Sequence, residues 1–164
     1  MSACQGVNSD RVNHENQFLL KEDILPVTLT LEQSAQLALT SFYDLLNQGA
    51  FEQAAGLYGG SFEILQGYNP GIDPEDEAEL LKAGCLYNGF MCLSVLSAVP
   101  LQRKDPQVFE FEVIFSNPNG SQFTRGPCCG ETEENMPSKS TFIVQVTCEN
   151  KDICRVMDLP PYVP

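Results

Sequence analysis

Residues 108–116 read Val-Phe-Glu-Phe-Glu-Val-Ile-Phe-Ser, nine residues of alternation. Successive side chains of a strand point to opposite faces. Phe109, Phe111, Val113 and Phe115 therefore share one face, and Glu110 and Glu112 lie on the other. One face is made for a core and the other for water. Asn117-Pro118-Asn119-Gly120 follows, with proline suited to the first central position of a type I turn and glycine to a left-handed bulge residue. That register pairs Phe115 with Phe123 and carries Val113 opposite Arg125. Arg125 then falls on the face of Phe123, where a guanidinium could take a carboxylate or phosphate of a ligand, or snorkel to water.

The same texture extends in both directions. Phe142, Val144, Val146 and Cys148 alternate in a later strand, a turn near Glu149–Asp152 follows, and a last strand runs from about Ile153 to Met157. Upstream, Leu93 to Val99 reads as a strand. The end, Leu159-Pro160-Pro161-Tyr162-Val163-Pro164, is extended because residues before proline avoid the helical region.

Before residue 90 the period is helical. Leu31, Ala35, Ala38, Phe42 and Leu45 recur at helix spacing after Thr30, a good N-cap, and Gly49 ends the run. A second, shorter helix is expected from Phe51 to Tyr58, stopped by Gly59-Gly60. The third is expected to start at Asp73-Pro74-Glu75, with Asp73 as N-cap, and to end at Gly84. Helices first and antiparallel strands after give an α+β fold, with three N-terminal helices on one face of the sheet.

Composition bounds the function. The chain has 164 residues and a formal net charge of −13, from 22 acids against 9 bases. Nucleic acid is not an expected partner, since phosphate neutralisation needs clustered Lys and Arg. The acidic runs 73–79 and 131–134 read as solvated surface, without the ligand spacing of a calcium loop. His14, the only histidine, lies in a polar stretch, so a histidine-dependent triad is not expected. Glu110 and Glu112 face solvent, and no phosphate loop or cofactor motif is present.

The seven cysteines speak to location. Met1-Ser2-Ala3-Cys4 resembles the end of a bacterial lipobox, where cleavage exposes a cysteine for lipidation. Residues 1–25 then read as anchor remnant and tether, and 26–164 as a single α+β domain. The other six are an even set, suited to disulfides in an oxidising compartment. Cys148 and Cys154 flank a turn and suit a hairpin cross-link. Adjacent cysteines bond poorly to each other, so Cys85 and Cys92 are expected to reach Cys128 and Cys129. Zinc is disfavoured because the pairs are separated by six, no and five residues rather than two.

Phe42-Tyr43-Asp44-Leu45-Leu46-Asn47-Gln48-Gly49-Ala50-Phe51-Glu52-Gln53-Ala54-Ala55-Gly56-Leu57-Tyr58 resembles the opening helix pair of the nuclear transport factor 2-like (cystatin-like cone) superfamily. The resemblance spans residues 30–158. It implies a curved, cone-like sheet with a pocket between sheet and helices. Enzymes of that superfamily place an acid and a tyrosine there. Tyr43 and Tyr58 are the tyrosines expected near a ligand, Tyr68 and Tyr87 are also available, and no carboxylate matches the acid. The tail Asp158–Pro164 is similar to uncharacterised bacterial lipoproteins ending in "DLPxYVP", which implies no activity.

The sequence therefore points to an extracytoplasmic, lipid-anchored, non-catalytic module that binds an unknown protein or small molecule at the cell surface. It would meet the membrane only through its lipid. The rival readings are a small-molecule-processing enzyme of isomerase or dehydratase type, and a structural partner in a larger envelope complex.

Overall fold

The computed structural model describes residues 29–103 and 105–163. Cys4, His14 and the tether lie outside the described residues. Within them the fold is α+β, with four helices preceding a four-stranded antiparallel sheet.

Helix α1 (Leu31–Gln48) begins with a reciprocal cap. Thr30 Oγ1 accepts the Gln33 N–H at 3.2 Å, and Gln33 Oε1 accepts the Thr30 N–H at 2.8 Å, which satisfies two donors left over at a helix start. It ends at Gly49, whose φ of 77° an L side chain rarely adopts. Ala35, Ala38, Leu39, Phe42, Tyr43 and Leu46 form its buried stripe.

Helix α2 (Phe51–Ala55) is shorter than its pattern suggests. The chain leaves it early because residues 57–59 pair alongside the last strand. Val156 N–H donates to the Leu57 carbonyl and Gly59 N–H to the Val156 carbonyl, both at 2.8 Å. Helix α3 (Glu63–Tyr68) was not expected; among the described residues there are four helices rather than three.

Helix α4 (Glu77–Tyr87) starts later than its first start signal. Asp76 is the N-cap, accepting from the Glu79 N–H at 3.0 Å, while Asp73 caps the preceding turn by accepting from Glu75 N–H. Gly84 does not end this helix. It lies inside it, buried against Leu65 of α3.

Strands β1 (Ser94–Pro100), β2 (Val108–Ser116), β3 (Phe142–Asn150) and β4 (Ile153–Val156) pair in chain order. Opposite Phe109, Phe111 and Val113 stand Val146, Val144 and Phe142, and all six side chains are buried. Helix α1 packs over this face and contacts all four strands. Each such side chain contributes about 1.5–3 kcal/mol by leaving water. The outer face carries Glu112, Ile143, Val99 and Arg155 in water.

The chain after the Asn117–Gly120 turn corrects the expected hairpin. Phe123 N–H does donate to the Phe115 carbonyl at 2.8 Å. Pairing then stops, because Val113 is already taken by Phe142 of β3 and Ala98 of β1. Arg125 instead pairs with Lys139, outside the main sheet.

Two disulfides are present among the described residues, Cys85–Cys92 and Cys148–Cys154. The second bridges residues directly opposite in β3 and β4. The first corrects the long-range link to Cys128 and Cys129. Helix α4 ends at Tyr87 and the chain doubles back through Gly89, bringing the Cα atoms of Cys85 and Cys92 to 5.5 Å, a normal bridging separation. Cys128 and Cys129 are free thiols.

Candidate functional site

The expected ligand tyrosines are core residues. Tyr43 is wholly buried on α1, with its ring edge against Phe42 and Phe115. Its hydroxyl donates to the Asp158 carbonyl at 3.3 Å. Tyr58 stacks on Phe42, meets Phe62 edge-on and donates to the Ser61 carbonyl at 3.1 Å. Burial pushes the Tyr43 phenol well above its usual range, and the nearby Asp158 carboxylate adds to the rise. Tyr58 is pushed up to about 12 by the same two causes in the same order. Both phenols stay protonated, and each gives its proton to a backbone carbonyl.

The exposed tyrosines stand elsewhere. Helices α3 and α4 end at Tyr68 and Tyr87, and the C-terminal tail brings Tyr162 beside them. The tail is pinned by backbone bonds from Met91 N–H to the Pro161 carbonyl at 2.8 Å and from Val163 N–H to the Gly89 carbonyl at 2.9 Å. Gly89, at φ 78°, lies so close to the Val163 carbonyl that a side chain there would overlap it. Pro160 and Pro161 are buried beneath.

The three rings, with Asn88, Gly89 and Val163, line an open groove of about 370 Å³. Tyr87 is 76% exposed, Tyr68 50% and Tyr162 37%. The rings of Tyr68 and Tyr162 stack with centroids 6.2 Å apart. The adjoining Tyr68 hydroxyl is the main cause of a raised Tyr162 pKa, followed by loss of solvent. A larger hollow of about 440 Å³, between the α1–α2 turn and α4, is lined by Glu52, Asp76, Glu79 and Lys82. Its cation is already paired, Lys82 Nζ lying 2.9 Å from Glu79 Oε2.

Cys128 and Cys129 lie within electrostatic reach of Tyr162, and Arg125 within reach of Cys128. Arg125 exchanges two backbone hydrogen bonds of 2.8 Å with Lys139, so both side chains project from one side of that bridge. Its Nε is buried with no hydrogen-bond partner among the described residues. The Arg125 charge acts on Cys128, whereas Asp158 is the carboxylate acting on Tyr43 and Tyr58. Sequence reasoning missed the groove because Tyr68, Tyr87 and Tyr162 meet only through the tail's return to Gly89.

Among the described residues, no cluster of three or more His, Cys, Asp and Glu is placed to hold a metal. No helix there is long and apolar enough to cross a membrane. The two disulfides are compatible with an extracytoplasmic location. Comparison with known proteins finds no matching family model, curated protein or solved structure.

Proposed function

We propose that the chain is a non-catalytic binding module at the outer side of a membrane, tethered by a lipid on Cys4, and that the tyrosine groove is its contact surface. The observation that carries this is the exposure of three adjacent tyrosines in a chain whose other large aromatics mostly pack inside. Tyrosine gives a large apolar face with a polar tip at low entropic cost, which is why it concentrates in binding hot spots. The acidic chain argues for a partner that is not nucleic acid. The resemblance of residues 42–58 to the cone superfamily supports a curved sheet over a helix layer. The enzyme reading loses ground because the hydroxyls of Tyr43 and Tyr58 are already engaged.

The test is a photo-crosslinking residue placed at Tyr87 in the native host, with one at Glu112 on the outer sheet face as control. A discrete protein adduct is expected from position 87 and not from 112, and it should disappear when Tyr162→Ala is added. In a Cys4→Ser chain the adduct should leave the membrane fraction. Equal labelling from both positions would exclude the groove as the contact surface.

A further inference from the structure

Six cysteines lie among the described residues, and four are bonded in short local loops. The remaining two are neighbours, with Cys128 Sγ and Cys129 Sγ 2.9 Å apart. A disulfide needs about 2.05 Å, so the sulfurs are within about 1 Å of bonding distance. They sit on a tight turn closed by Glu131 N–H to the Cys128 carbonyl at 2.9 Å. Its central residues are Cys129 and Gly130, with φ of 61° and 88°. Cys129 is the only non-glycine residue with positive φ among those described. An L residue is held there against its steric preference, and here that conformation keeps the two thiols together.

We propose that Cys128 and Cys129 are a reversible dithiol–disulfide couple that exchanges with low-molecular-weight disulfides and closes, when oxidised, into a vicinal eight-membered ring. Such a ring is strained and this one is exposed, and both properties favour ready reduction. The exchange does not depend on the binding role proposed above.

The sulfurs differ in role. Cys129 is exposed and Cys128 half-buried. Contact with the Cys129 sulfur raises the Cys128 thiol above its usual range; burial and Glu131 add to this and Arg125 opposes it. Cys129, the more exposed sulfur, gives up its proton and attacks one sulfur of a small disulfide. The S–S bond of that disulfide breaks, a Cys129 mixed disulfide forms, and the first small thiolate leaves. Cys128 Sγ then attacks Cys129 Sγ, forming the vicinal bond and expelling the second small thiolate. Protons from the two cysteines end on the two small thiols. The protein dithiol loses two electrons and the small disulfide gains them.

The test uses the folded chain equilibrated with glutathione and its disulfide at graded ratios, alkylated, and cut with trypsin. Both sulfurs lie in the peptide 126–139, between Arg125 and Lys139. At oxidising ratios this peptide should be unalkylated and two hydrogens lighter than the dithiol; at reducing ratios it should carry two alkyl groups. The Cys85–Cys92 and Cys148–Cys154 bridges should not change across the same range. In Cys128→Ser the resolving sulfur is gone, and a glutathione mixed disulfide should accumulate on Cys129. A 126–139 peptide that is dialkylated at every ratio, closed at every ratio, or joined to another peptide would overturn the proposal.

Discussion

A β-carbon placed on Gly84 would lie 2.8 Å from Leu65 Cδ2 and 3.5 Å from Phe90 Cδ2. The first distance is shorter than carbon atoms tolerate, and Leu65 is itself buried. Two effects oppose each other in Gly84→Ala. Alanine gains up to about 1 kcal/mol of helix propensity over glycine. Overpacking a filled core costs about 1–3 kcal/mol. Because Leu65 is itself buried in the core, overpacking should win. Urea unfolding is expected to show a net loss of about 1–2 kcal/mol; a gain in stability would mean that α3 does not press on α4. Residue identity alone did not reveal this contact. A lone glycine after a helical run reads as a stop, and only the approach of α3 shows that this one is a spacer. Arg125 shows the same limit. Its face depended on the pairing of β2, and β3 held that place.

At the scale of elements, strong local signals were legible and weak ones were not. Strand β2 has the expected bounds, Val108–Ser116, because nine residues of alternation leave little freedom of register. Helix α1 was equally plain, with a cap, a stripe and a left-handed glycine. Helix α3 has six residues and one buried side chain, Leu65, which is too little to show a period. The start of α4 was ambiguous because Asp73 and Asp76 both carry cap chemistry, and each does cap something. The β3–β4 hairpin yields a prediction. Cys148 and Cys154 stand opposite each other, six positions apart, so their bond closes a short loop. The entropy of closing such a loop is worth about 2–3 kcal/mol. The double variant Cys148→Ala, Cys154→Ala should lose about that much in denaturant unfolding and keep its far-ultraviolet spectrum. No loss would mean that the hairpin is closed equally well without the bond.

For the whole molecule, each layer is stapled within itself. Cys85–Cys92 fastens the exit of α4, and Cys148–Cys154 fastens the sheet edge. Helix and sheet layers are joined by the apolar face under α1 and by the tail. Asp158 Oδ2 accepts the Gln145 N–H at 2.7 Å, and the Asp158 carbonyl accepts the Tyr43 hydroxyl. The tail then crosses to Gly89 and completes the tyrosine groove. This local stapling leaves Cys128 and Cys129 outside both structural bridges. The most direct test is a disulfide map of the oxidised, unreduced chain after trypsin cleavage. Local stapling requires one bridge inside peptide 83–103, joining Cys85 to Cys92, and one between peptides 140–151 and 152–155, joining Cys148 to Cys154. A peptide 83–103 cross-linked to peptide 126–139 would contradict it, because helix α4 would then be tied to the Cys128–Cys129 turn and not to its own exit.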